Sequence, residues 1–170
     1  MNEIAKFIRE VPDFPKPGIL FRDITPLLED ARGFTSAIRK FVEATPAGID
    51  KVVAIESRGF IFGAALAYAL HLGFVPVRKS GKLPWEKVKI SYDLEYGTDT
   101  LEIHRDGLKK GEQVVLVDDL LATGGTAAAC CQLIQSCGAS VSRVLFLIEL
   151  KDLNGRSKLK DYQVISLLKL

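Results

Sequence analysis

Four apolar residues, two adjacent aspartates and a glycine-rich turn follow one another in VVLVDDLLATGGT, Val114 to Thr126. The run Val114–Val117 reads as a buried strand. Such an unbroken apolar strand is typical of a parallel sheet covered on both faces by helices. Ligands of open α/β sheets bind beyond the carboxyl ends of the strands. A strand ending at Val117 therefore puts Asp118 and Asp119 on that rim. The Thr-Gly-Gly-Thr that follows opens a helix. Its glycines let the backbone approach a ligand closely, and the helix start presents unpaired N–H groups. With the hydroxyls of Thr123 and Thr126, those groups suit a phosphate. Two negative charges beside an anion cradle look contradictory, and a sugar phosphate resolves the conflict. Ionised carboxylates are pure acceptors and can take hydrogen bonds from a vicinal diol. The amides then hold the phosphate of the same sugar. The alternative is a helix cap beside a Mg2+ site.

The rest of the chain fits that class. Ile4, Phe7, Ile8 and Val11 recur at helical spacing, which predicts a helix to about Val11. PDFPKPG stops it, because prolines cannot continue a helix. ILFRDITPLL is extended or irregular. Residues 33–44 form an amphipathic helix with Phe34, Ile38, Phe41 and Val42 on one face. KVVAIESRGF is a buried strand ending in a charged cluster, and residues 60–70 form a helix. GFVPVRK is a further strand, which Pro76 assigns to an edge or a strand end. Alternation on both sides of EYGTD marks a hairpin between residues 80 and 105. After VVLVDDLLATGGT and its helix, which Gly138 ends, SVSRVLFLIEL and YQVISLLKL are the last strands. The expected fold is α/β: a parallel sheet flanked by helices, with an inserted antiparallel hairpin, in a single domain over residues 1–170.

Composition excludes several classes. Apolar residues make up 48% of the 170 residues, enough for a substantial core. The longest apolar stretch, FIFGAALAYALHLGFVPV, is punctuated by Gly63, His71, Gly73 and Pro76, so it is not a membrane span. The N-terminus carries charges at close intervals and no apolar signal region, which places the chain in the cytoplasm by default. A net charge of +2 gives no global attraction to nucleic acid or membrane. Cys130, Cys131 and Cys137 fit neither a disulfide framework nor zinc spacing, and they read as structural. The basic cluster VRKSGKLPWEKVK is the one local charge concentration.

Two familiar phosphate loops are excluded. The turn has no lysine for a GxxxxGK[ST] loop and no GxGxxG for a dinucleotide site. VVLVDDLLATGGT instead resembles the phosphoribosyl diphosphate (PRPP) motif of the type I phosphoribosyltransferases. VPDFPKPGILFRDITPLL, ESRGFIFG, VRKSGKLPW and SYDLEYG resemble stretches of the adenine-specific branch of that family, in its order. The likeness runs from about Ile4 to Leu168.

The resemblance implies roles. Asp118 and Asp119 would hold the ribose hydroxyls, and Ala122, Thr123, Gly124, Gly125 and Thr126 the 5′-phosphate. ESRG resembles the family's pyrophosphate loop, in which a non-proline cis peptide is frequent. Its Ser57 and Arg58 would face the diphosphate, joined by Arg78, Lys79 and Lys82. Lys87 and Lys89 read as solvated. The hairpin of residues 80–105 resembles a mobile catalytic loop, with Tyr92 and Tyr96 in it and Glu95 as the group exchanging a proton with the base. GILFRDI resembles a base-reading hood, here residues 1–32. The Leu20 and Arg22 backbones would hydrogen-bond adenine and Phe21 would stack on it. The partners implied are adenine, PRPP, AMP and pyrophosphate, and the assembly a homodimer. The cofactor implied is Mg2+, held mainly by substrate and water with no protein metal ligands. Two rivals follow from the same fold: a phosphoribosyltransferase for a 6-oxopurine, and a nucleic-acid-binding regulator. The near-neutral charge and short chain disfavour the regulator.

Overall fold

The computed structural model describes residues 3–93 and 97–170. Two short strands, β1 (Arg9–Pro12) and β2 (Leu20–Asp23), pair antiparallel ahead of the main sheet. They replace most of the helix expected before Val11. Only Ala5–Phe7 form a helical turn, of the 3-10 type. The β-branched Val11 pairs with Phe21 across the ladder, and this tertiary pairing overrides the local helical spacing.

Helices α1 (Thr25–Glu29) and α2 (Ala31–Ala44) follow. The Asp30 carboxylate caps α2, accepting from Gly33 N at 2.8 Å. Then come β3 (Lys51–Ile55), α3 (Arg58–Leu70) and β4 (Gly73–Lys79). The hairpin strands are β5 (Lys87–Asp93) and β6 (Thr98–His104). Last come β7 (Gln113–Leu121), α4 (Gly125–Ser136), β8 (Ser140–Glu149) and β9 (Val164–Lys169). The seven-stranded sheet has the order β5-β6-β4-β3-β7-β8-β9. Strands β4, β3, β7, β8 and β9 run parallel, and the hairpin adds antiparallel on the β4 side.

The strands read as continuous apolar runs because alternate residues enter two cores. Val53, Ile55, Leu116 and Phe146 pack on the α4 face. Val52, Ala54, Val115 and Val117 pack with Phe41, Phe62 and Leu66 on the face of α2 and α3. Pro76 sits in an interior strand, not at an edge. β4 pairs with β6 only at Arg78 and Lys79, so the flank beside Pro76 needs no ladder donor. Cys130 and Cys131 are buried in α4. Burial pushes the Cys130 thiol well up and that of Cys131 up to about 12, which keeps both unreactive. Among the described residues, no helix is long and apolar enough to cross a membrane.

Candidate active site

Strand β7 does not stop at Val117. Its pairing with β3 ends at Ala54–Val117, but its pairing with β8 continues to Leu121–Glu149. Asp118 and Asp119 thus lie where β7 has lost one neighbour and kept the other. The missing neighbour opens a cleft of about 520 Å3. Lining it are Ser57, Arg58, Lys79, Tyr92, Asp118, Asp119 and the turn Ala122–Thr126, with Phe21 of β2. One cleft therefore gathers residues more than 100 positions apart in sequence.

The α3 start lies directly against the acidic pair. A β-carbon on Gly59 would stand 2.7 Å from Asp118 Oδ1 and 3.2 Å from Val117 O, so only glycine fits there. Asp118 Oδ1 accepts from Asp119 N at 2.9 Å. Arg58 NH2 approaches Asp119 Oδ2 to 2.5 Å, and its guanidinium lies 5.3 Å from the Phe21 ring centre. Burial pushes the Asp118 carboxyl well above the usual range, and the Asp119 charge pushes it further. Burial also raises Asp119, with Arg58 opposing. Two acids held together this way strongly favour a ligand that donates hydrogen bonds to them.

The glycine turn lines the same cleft. Gly124 has φ of +79°, which suits glycine, and it caps α4. Tyr92 reaches this turn from the hairpin: its hydroxyl lies 3.2 Å from Thr126 Oγ1 and 3.5 Å from Asp99 Oδ2. Asp99 also pairs with Lys79 Nζ at 3.0 Å. That hydrogen bond raises the Lys79 ammonium's pKa.

Arg78 and Lys82 do not line the cleft. Both are drawn onto the buried Glu56, Arg78 NH2 at 2.9 Å and Lys82 Nζ at 3.2 Å. Lys79 N donates to the same carboxylate at 2.7 Å. Burial alone would raise Glu56, but these donors outweigh it and hold its carboxyl below the ordinary value. The Glu56–Ser57 peptide is cis. Among the described hood residues, only Phe21 lines the cleft. Leu20 and Arg22 line an adjoining groove with Leu150 and Leu153, which meets the cleft at Ala122 and Thr123; strand alternation puts them on the face opposite Phe21. Arg22 is paired with Glu10. Lys87 is not solvated as expected: it lies 3.3 Å from the buried Glu102 and donates to Leu83 O at 3.2 Å. Glu95 and Tyr96 lie outside the described residues.

Sequence reasoning missed Glu56 and Asp99. Both stand in the motifs ESRG and EYGTD, but a carboxylate beside an anion site looks unhelpful until its cationic partners are seen.

An acidic pair and a glycine-rich helix start facing one cleft at the carboxyl edge of a parallel sheet define the type I phosphoribosyltransferase class. The family model for the phosphoribosyl transferase domain matches residues 24–170. A Pseudothermotoga lettingae adenine phosphoribosyltransferase is 55% identical over 163 residues, 95% of this chain and 96% of that protein. The crystal structure of the Thermoanaerobacter pseudethanolicus enzyme of that name superposes with a TM-score of 0.95 at 54% identity, covering 99% of this chain and 98% of that one. The Saccharomyces cerevisiae adenine phosphoribosyltransferase was solved with D-2,5-dideoxy-2,5-imino-altritol 1,6-bisphosphate and adenine. It matches at 43% identity and a TM-score of 0.91, covering 98% and 97% of the two chains. The chain belongs to the phosphoribosyltransferase family and, within it, to the adenine phosphoribosyltransferases.

Proposed function

We propose that the chain transfers the 5-phosphoribosyl group of PRPP to adenine, giving AMP and pyrophosphate. The observation that carries this reading is the single cleft that joins Asp118 and Asp119, the Ala122–Thr126 turn and Phe21. Adenine N9 attacks the anomeric carbon as the bond to the diphosphate oxygen breaks. Asp118 and Asp119 accept from the ribose 2′ and 3′ hydroxyls and stabilise positive charge developing on the ring. Ala122, Thr123, Gly124, Gly125 and Thr126 hold the 5′-phosphate. Ser57, Arg58 and Lys79 face the diphosphate, and Arg78 and Lys82 would have to swing from Glu56 to reach it. The hairpin, with Tyr92 and Tyr96, closes on the substrates and excludes water.

Mg2+ is the cofactor this reading implies. Mg2+ commonly binds through one or two carboxylates plus substrate phosphates, keeping several waters. The cleft fits that habit: substrate oxygens and water would hold the ion, with the Asp118 and Asp119 carboxylates in the same cleft able to take its waters. Among the described residues no group of three or more His, Cys, Asp or Glu could cage a metal. When bound, the ion neutralises charge on the departing diphosphate. Glu95 is proposed to exchange a proton with the purine. Glu95→Gln should lower kcat with the KM for PRPP kept, and unchanged kcat removes it from the chemistry. A cytoplasmic homodimer completes the reading; light scattering checks it against the 18.7 kDa of one chain.

Phe21 supplies the stacking face, and the Leu20 and Arg22 backbones offer a C=O and an N–H. Adenine presents a donor at its 6-amino group and an acceptor at N1, which that pair complements. Hypoxanthine and guanine invert both. Each unpaired buried group costs about 1–3 kcal/mol, so the two together discriminate by about 30-fold or more. Initial rates with PRPP, Mg2+ and each base test this. AMP formation from adenine should dominate; preference for a 6-oxopurine would replace this reading with its runner-up.

A further inference from the structure

We propose that Lys158 is a further residue of the 5′-phosphate cradle, delivered to it by the turn Asn154–Leu159. The inference rests on the phosphate reading of Ala122–Thr126 given above. Gly125 is the first residue of α4. The point where its β-carbon would stand is bounded by Lys158 Nζ at 3.7 Å, Asp93 O at 3.7 Å and the Tyr92 ring at 3.9 Å. An ammonium group therefore stands at the helix start, on a different chain segment from any residue of the motif.

The turn is fixed in place. A β-carbon on Gly155 would stand 2.2 Å from Ala122 O and 3.0 Å from Gly124 N, so the turn's backbone lies directly on the cradle's backbone. Arg156 then ties it to the sheet, with Nε and NH2 on the two oxygens of the buried Glu149 at 2.6 and 2.8 Å. Its NH1 donates to Val164 O at 2.9 Å. Leu159 is 1% exposed in the core. Lys158 lies between these anchors, and among the described residues no salt bridge involves it.

The chemistry follows. The aligned peptides of a helix place about half a positive charge at its N-terminus. A phosphomonoester at neutral pH carries up to two negative charges, so amides alone leave it under-neutralised. A lysine on a flexible stem adds a charge-assisted hydrogen bond to the same oxygens. The ligand class is a phosphomonoester on a primary carbon, and the role is binding, not bond making.

Calorimetric titration of AMP and of adenosine into the full-length chain, Lys158→Ala and Lys158→Arg tests it. Lys158→Ala should weaken AMP about tenfold, leave adenosine unchanged and keep the Tm, and Lys158→Arg should recover most of the loss. Equal weakening of AMP and adenosine, or none, overturns the assignment. If the unmutated chain itself fails to prefer AMP to adenosine, the phosphate reading falls first and this inference falls with it.

Discussion

Replacing Asp118 and Asp119 together by Asn should lower kcat/KM for PRPP by about two to four orders of magnitude without unfolding the chain. Each hydrogen bond to an ionised acceptor is worth about 1.5–3 kcal/mol, and two such losses give that range. The lost negative charge also removes support for a cationic ribose. The stability effect runs the other way. Both carboxyls are raised in the folded chain, Asp118 well above the usual value, by burial first and by its neighbour's charge second. A raised acid favours the protonated native state, so the pair destabilises the fold at neutral pH. That cost is relieved as pH falls through the raised values. The double variant should therefore have an equal or higher Tm at pH 7, and its advantage should shrink as the solution is acidified. Arg58, about one-third exposed, keeps access to water when its partner is lost. Normal PRPP kinetics in this variant would refute the ribose assignment, and a lower Tm at pH 7 would refute the claim that the buried acidic pair destabilises the fold.

Gly155→Ala should be nearly as damaging to activity, although Gly155 is assigned no contact with substrate. Its new β-carbon would meet Ala122 O at 2.2 Å, and that atom is backbone in the phosphate turn. No side chain can move to relieve the clash, so the turn itself must shift. A misplacement of about 1 Å at a positioning element costs about a hundredfold in rate. Steady-state kinetics should show that loss mainly as a raised KM for PRPP. Ser157→Ala, exposed and bonded only to Asn154 O at 2.7 Å among the described hydrogen bonds, is the matched control and should stay near parental values. Parental KM in Gly155→Ala would separate the turn from the cradle.

The sheet and its helices were legible because parallel strands and amphipathic helices write their periods directly into sequence. Residues 51–55, 114–117 and 140–149 could be read as strands from their apolar runs alone, though β7 runs on past the aspartates to Leu121. The first dozen residues could not: Ile4, Phe7, Ile8 and Val11 fit a helical period, and only pairing with Leu20–Asp23 makes a strand there. The acidic pair and the glycine turn were legible because both lie in one segment whose residue types have a direct chemical reading. Glu56, Asp99 and Lys158 were not. Their significance depends on partners 20 to 33 positions away, such as Lys79 on Asp99, Arg78 on Glu56 and Gly125 beside Lys158. The pairing of Arg78 and Lys82 with Glu56 was not legible for the same reason, since a run of basic residues does not reveal the buried carboxylate that holds it.

The central claim is that the aspartates and the glycine turn address different ends of one ligand. Titration of AMP, 2′-deoxy-AMP and adenosine into the parental chain and the double Asn variant tests it most directly. Removing the 2′-hydroxyl should weaken binding to the parent about tenfold and to the variant by less than about threefold. Removing the phosphate should cost both proteins the same. An undiminished 2′-deoxy penalty in the variant, or a phosphate penalty that changes with the aspartates, would contradict the account.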